Sequence, residues 1–431
     1  MENQQTVKIG IIGAGERGVY TLGARMAERV HHEGFVVTAL ADIYPERLQE
    51  GKQFLEQKYR ESDRQVEIKT YTDFHALIED PEVELVMITS YTSKHIESAL
   101  PALRSKKKVY LDKPIATRIE DSHAILQVEK AEQNPLIMGF TRRYETTWRK
   151  AYDLVQAGKI GELQMILLRS VIPYSRYLQR WHRNRELSGG ALNDKASHHF
   201  DVFNWFSGGS PELLQAMGGR SAVFKPDPNA PTRCRECDRD CPYRVVPSET
   251  VKERGVFYTL EKEYDDDEAA LFNQHSWYDA PTYDERADNC VYDPDADIFD
   301  HALVNIAYDN GIKATLFLSI FGPVAADQET LELVGSSGRI RLVRNTGQID
   351  LVNEFGARHE VIDAADKNLN SSHNGADIGL LKDIRGFCQG HTPVAQSADG
   401  HLSLRMVHAA EQAIQSGGAT IKMSEVPFGD V

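Results

Sequence analysis

Apolar residues in the first 140 positions form two patterns: short continuous runs, and stretches with apolar side chains three or four residues apart. The runs predict buried strands and the spaced stretches predict amphipathic helices. Strands are expected at 7–12, 35–41, 66–71, 85–89, 108–111 and 136–140. Between them lie a helix with Val19, Leu22, Met26 and Val30 on one face and helical stretches at 45–58, 74–79, 93–106 and 120–133. Repeated strand–helix alternation calls for a parallel sheet, because a tight turn cannot join parallel neighbours. The second half reads differently. Strands are expected at 213–216, 301–308, 313–319, 329–335, 339–342, 349–352 and 360–362, and helices at 376–388 and 402–415. Asp309-Asn310-Gly311 between two strand signals predicts a hairpin, so this half should hold an open, mostly antiparallel sheet with one face covered.

The first strand runs directly into Gly13-Ala14-Gly15-Glu16-Arg17-Gly18, and Asp42 closes the second strand 24 residues after Gly18. Strand, G-x-G-x-x-G, helix and a following acid together form the dinucleotide fingerprint. Gly13 permits the tight turn, Gly15 lets the backbone approach a pyrophosphate, and Gly18 allows close helix–strand packing. The helix start offers unpaired N–H groups and the positive end of its dipole. Asp42 suits the adenosine ribose hydroxyls and repels a 2′-phosphate, which favours NAD over NADP. Ile43 brings no positive charge; Arg47, nearby, either shifts that preference or is a solvated helix residue, the second being the favoured reading.

Composition narrows the field. The 431 residues carry 49 basic and 64 acidic side chains, a formal charge of −15 that opposes nonspecific nucleic-acid binding. No run of about 18 uncharged apolar residues exists, so no membrane partner is expected. The first residues carry neither a basic segment nor a cleavage site, so the chain reads as cytoplasmic. Five cysteines are too few for a disulfide scaffold.

The order of motifs resembles the Gfo/Idh/MocA family of sugar and cyclitol oxidoreductases. The likeness rests on the glycine motif, Asp42, Leu111-Asp112-Lys113-Pro114, Gly139-Phe140-Thr141-Arg142-Arg143-Tyr144 and the stretch from Gly189 to Asp201. In that family G-G-x-L-x-D-x-x-x-H-x-x-D carries the catalytic Asp and His, here Asp194 and His198. The family's E-K-P appears as Asp112-Lys113-Pro114, keeping the lysine. The resemblance also implies a cis bond between Lys113 and Pro114. Two departures stand out: Tyr91 and Thr92 replace Pro and Asn in a T-P-N-x-x-H pattern that retains His95, and Lys195 follows Asp194.

The resemblance implies an α/β protein: residues 1–140 form a Rossmann doubly wound parallel sheet, and 141–431 a C-terminal α+β domain. An insertion at about 225–295 carries most of the cysteines. Catalysis falls to Lys113, Asp194 and His198; cofactor binding to Gly13, Gly15, Glu16, Arg17, Gly18, Asp42, Ser90, His95, Asp112 and Lys113. Arg143, Trp181, Arg183, Lys195 and His199 are the candidate substrate contacts. His199 reads equally as structural. The Arg- and aromatic-rich stretch 174–185 is either a polar wall with stacking platforms or a solvated loop or oligomer contact.

The chemistry fits these residue types. An imidazole, with an ordinary pKa near 6.5, can take the proton of a secondary alcohol as its hydride leaves. An ammonium beside the oxygen stabilises the alkoxide. Asp194 and His198, four apart, fall on one helical face, where Asp194 can orient His198 or bind a substrate hydroxyl. The expected partner is a small carbohydrate or polyol. A transient oxidation leading to glycoside cleavage uses the same groups, and a non-catalytic NAD-binding protein is a third reading. A homo-oligomer is expected by family analogy. Cys234, Cys237, Cys241 and Cys290 fit a structural zinc site, free thiols or a disulfide; Cys388 reads as core.

Overall fold

The computed structural model describes residues 6–244, 286–323, 325–365 and 375–429. The chain divides into two compact units, with boundaries after Glu145 and after Leu404. The first unit takes the chain up to Glu145 and adds described residues 375–404; the second takes the described residues from Thr146 to 365 and from Arg405 to Gly429. The acidic run at 261–268 and most of the cysteine-bearing insertion lie outside the described residues.

In the first unit, strands β1 (Val7–Ile12), β2 (Phe35–Ala41), β3 (Lys69–Tyr71), β4 (Leu85–Ile88), β5 (Lys108–Leu111) and β6 (Leu136–Met138) form one sheet. All neighbours are parallel and the order is β3-β2-β1-β4-β5-β6. The order reverses between β1 and β4, and open α/β sheets bind ligands beyond the strand ends at such a switch point. β3 is shorter than the expected 66–71. It is an edge strand, and just before it the Glu56 carboxylate accepts the Ile68 N–H at 3.1 Å in place of a sheet neighbour.

A single division at 140 does not describe this unit. The helix Ala376–Cys388 places Leu380, Leu381, Ile384 and Phe387 in one core with Ile9, Val37, Leu85 and Tyr110. Its apolar face finds its cover there, not in the unit that precedes it in sequence.

The second unit is built on β7 (Leu163–Val171), β8 (Pro211–Gly219), β9 (His301–Tyr308), β10 (Lys313–Ser319), β11 (Glu329–Gly335), β12 (Arg339–Val343), β13 (Gln348–Asn353), β14 (Arg358–Asp363) and β15 (Thr420–Lys422). The order is β14-β13-β12-β11-β7-β10-β9-β8-β15, antiparallel except where β7 meets β10. The β9–β10 hairpin turns at the expected place, with Gly311 N–H donating to Tyr308 O at 3.0 Å. β7 and β15 have no counterpart among the expected strands. β7, at the centre, alternates buried Ile166 and Leu168 with exposed Met165 and Leu167, so apolar residues on both faces hide its period of two. β15 has only three residues.

Candidate active site

In the first unit the loop after β1 meets the loop after β4. Gly13 has φ +93°, and a Cβ there would lie 2.6 Å from Ser90 N. A side chain at Gly18 would lie 2.4 Å from Thr89 Oγ1. Both glycines are therefore required by close approach, and Gly13 also by its backbone angle. The helix opened by Gly15 begins at Glu16 as a wide turn and tightens to α-helix at Ala24. Glu16 is exposed at this start.

Asp42 ends β2 with both oxygens engaged by backbone: Oδ2 accepts Ala14 N–H at 2.9 Å and Oδ1 accepts Tyr44 N–H at 3.0 Å. The carboxylate thus ties the glycine-rich turn to the tip of β2. Ile43 is exposed, and the Arg47 guanidinium lies over the Tyr44 ring, 4.9 Å from its centroid. Arg17 does not extend outward. Its Nη1 reaches Asp377 at 2.7 Å and its Nε lies 3.3 Å from Asp112 Oδ2. The carboxylates hold its pKa above the ordinary range against the opposing effect of burial.

Asp112, expected among the cofactor contacts, accepts Tyr110 O–H at 3.1 Å and Lys113 N–H at 3.0 Å. The Lys113–Pro114 bond is cis, as the resemblance implied, and Lys113 is half-buried. His95 is 1% exposed, with Nδ1 2.9 Å from Pro114 O and Nε2 3.1 Å from Ser90 O. Burial pushes its pKa down. Both ring nitrogens face backbone carbonyls. Arg143 is buried and bonded to Val394 O at 2.6 Å and Asp399 at 2.9 Å.

A dinucleotide fits this set. Ser90 Oγ and Arg17 Nη2 are buried polar atoms without a hydrogen-bond partner among the described residues, and buried donors and acceptors ordinarily find one. Together with the bare turn at Gly13 they border the end of β1, where the sheet order reverses.

In the second unit Asp194 and His198 flank a change of helical pitch. Residues Leu192–Ala196 form a wide π-type turn that continues as the α-helix Ser197–Ser207. Such turns recur at functional sites because they re-aim side chains. Tyr177 O–H donates to Asp194 Oδ2. The His182 ring stacks on Tyr177 at 4.7 Å, and Trp181 stacks on His182 at 4.0 Å. In sequence, the only signal for Tyr177 is membership of the aromatic stretch 174–185.

Lys195 is buried, 4.7 Å over the Tyr174 ring and 4.0 Å from Glu329 Oε2. Glu329 also meets His199 Nε2 at 3.2 Å and Arg344 Nη1 at 3.1 Å. His199 is fully buried, which fits its structural reading. Arg183, 1% exposed, forms a buried ion pair with Asp293 at 3.0 Å.

All five cysteines are free thiols. Arg233 and Asn289 form an antiparallel bridge, and Cys234 Sγ turns to Asn289 O at 3.9 Å. Burial, with the Cys237 and Cys241 thiols nearby, pushes the Cys290 thiol up. Among the described residues no group of three or more His, Cys, Asp or Glu is arranged to hold a metal ion.

Comparison with known proteins extends this picture. A family described as oxidoreductase, NAD-binding Rossmann fold, matches residues 7–140, and its C-terminal alpha/beta domain matches 153–423. The chain belongs to the Gfo/Idh/MocA family. Among curated Gfo/Idh/MocA-like relatives, a Bacillus subtilis protein named as an oxidoreductase, YteT, is 27% identical over 282 residues, 62% of each chain. The myo-inositol 2-dehydrogenase of Thermotoga maritima is 29% identical over 212 residues, covering 49% of this chain and 58% of its own length. The chain thus spans about three fifths of the curated relatives it matches. A levoglucosan dehydrogenase solved with NADH and levoglucosan shares the Gfo/Idh/MocA fold at TM-score 0.71 and 16% identity, covering 98% of this chain and 100% of that one. Among the described residues, no helix is long and apolar enough to cross a membrane.

Proposed function

We propose that this protein is an NAD-dependent oxidoreductase that moves a hydride between nicotinamide and a secondary hydroxyl of a sugar, cyclitol or sugar derivative. The observation that carries the reading is the tied glycine turn: Asp42 at the tip of β2 holds Ala14 N–H, at the switch point of a chain whose two halves both match the family. Bound NAD supplies the hydride acceptor. His198 takes the hydroxyl proton, the Lys113 ammonium steadies the oxygen as charge develops, and Asp194 orients the imidazole or a substrate hydroxyl. Tyr177 holds Asp194 by donating to Oδ2. The names of the inositol and levoglucosan dehydrogenases support a cyclic polyol as substrate class. An acid at Asp42, followed by the uncharged Ile43, supports NAD over NADP.

The test follows nicotinamide absorbance with NAD and a panel of cyclitols, aldoses and anhydrosugars. Turnover is expected, and His198→Ala should slow it by about 10²–10⁴-fold. Full activity in that variant overturns the base assignment. Release of sugar from a glycoside without net NADH assigns the redox-neutral cleavage instead.

The open face of the nine-stranded sheet supports a homo-oligomer. Met165, Leu167, Phe317, Leu303, Met217 and Val334 are exposed there on neighbouring strands. Contiguous exposed apolar surface marks an interaction site, and a second copy offers the same apolar face. Light scattering should give a multiple of 48.5 kDa, reduced by Phe317→Glu. A single-chain mass at micromolar concentration overturns it.

A further inference from the structure

His95 is a buried imidazole that the proposed reaction does not use directly, and its surroundings specify a task. Its Nδ1 lies 2.9 Å from Pro114 O and its Nε2 3.1 Å from Ser90 O. Carbonyl oxygens only accept hydrogen bonds, and a neutral imidazole carries one N–H. Burial disfavours the charged ring, so a single donor is expected, and the shorter contact places it on Nδ1.

We propose that His95 is a positioning residue for Lys113, acting through a hydrogen bond from Nδ1–H to the Pro114 carbonyl. This rests on the oxidoreductase reading above. Lys113 is the residue between two anchors. On one side Asp112 accepts Lys113 N–H at 3.0 Å and is itself held by Tyr110 and Arg17. On the other side Pro114 O meets the buried ring. The lysine backbone is thereby held on both sides. Placement of a catalytic group within an ångström governs rate more than affinity, so loss of one anchor should appear in kcat. The second contact, to Ser90 O, joins the same ring to the loop that packs against Gly13.

Two substitutions separate the positions, because the amide nitrogen of Asn reproduces Nδ1 and that of Gln reproduces Nε2. With NAD and whichever of myo-inositol, D-glucose and levoglucosan the wild type oxidises, His95→Asn should keep kcat within about threefold. His95→Gln and His95→Ala should lower kcat by about 10–100-fold with little change in the KM for the polyol. A role confined to packing would lower thermal stability in all three and leave kcat per folded molecule alike. Equal kcat in the Asn and Gln variants overturns the proposal. An independent readout needs no turnover: ¹⁵N-histidine spectra of the whole protein, with the His95 signals identified by their loss in His95→Asn, should place the proton on Nδ1. A proton on Nε2 with bare Nδ1 overturns it. If the wild type oxidises none of the three polyols, the substrate reading fails while the spectra still decide the hydrogen bond.

Discussion

Arg17 and Asp377, 360 residues apart in the chain, meet at 2.7 Å, joining the glycine-rich turn to the first turn of a helix near the end of the sequence. Asp377 is fully buried and sits where the helix dipole favours a carboxylate. Removing it leaves the Arg17 guanidinium short of one partner in a largely buried setting. Asp377→Ala should lower unfolding free energy by about 2–3 kcal/mol, read from the urea midpoint, and weaken NAD binding in titration. An unchanged midpoint would detach Arg17 from the stability of the turn.

Tyr177→Phe removes one hydroxyl and keeps the stack with His182 and the edge-on contact with Tyr174. Asp194 loses a donor, so kcat should fall about tenfold, near 1.4 kcal/mol, while the KM for NAD stays put. A shift confined to the cofactor KM would contradict the tie to Asp194.

Gly13→Ala should be the costliest single methyl in the cofactor turn. Its Cβ would meet Ser90 N at 2.6 Å in a backbone conformation that favours glycine. Strain of about 1–3 kcal/mol is expected, with NAD titration losing saturation at concentrations that fill the wild type. Wild-type affinity in this variant would mean the two loops can separate freely.

The Cys388 thiol is pushed up to about 11 by burial, so roughly one in a thousand is ionised at pH 8. Iodoacetamide at pH 8 should modify it far more slowly in the folded protein than in urea, and each added pH unit should quicken the folded rate about tenfold until the thiol titrates. Equal folded and unfolded rates, measured by peptide mass, would place it at the surface.

Most of the first sheet was legible because strands buried on both faces read as continuous apolar runs, as in Val7–Ile12 and Phe35–Ala41. Where a strand has an apolar solvent face, as in Leu163–Val171, that signal blurs, and the central strand of the second sheet has no clear pattern of its own. Site motifs were legible as residue types: Gly13, Gly18 and Asp42 stand where the turn chemistry requires them. Their partners were not. Arg143, Arg183 and His95 look like ligand contacts in sequence, but each is engaged by a partner far along the chain or in the backbone. Long-range pairing of this kind leaves no local pattern.

The late helix Ala376–Cys388 also sets when the nucleotide half can be finished during synthesis. A nascent chain that has emerged only as far as Glu145 has made all six strands of its sheet but has not yet received Leu380, Leu381, Ile384 and Phe387. Apolar surface meant for those four side chains stays open to water, or to a chaperone, until the helix Ala376–Cys388 has left the ribosome. A stop codon placed at the apparent domain border would release that incomplete form permanently.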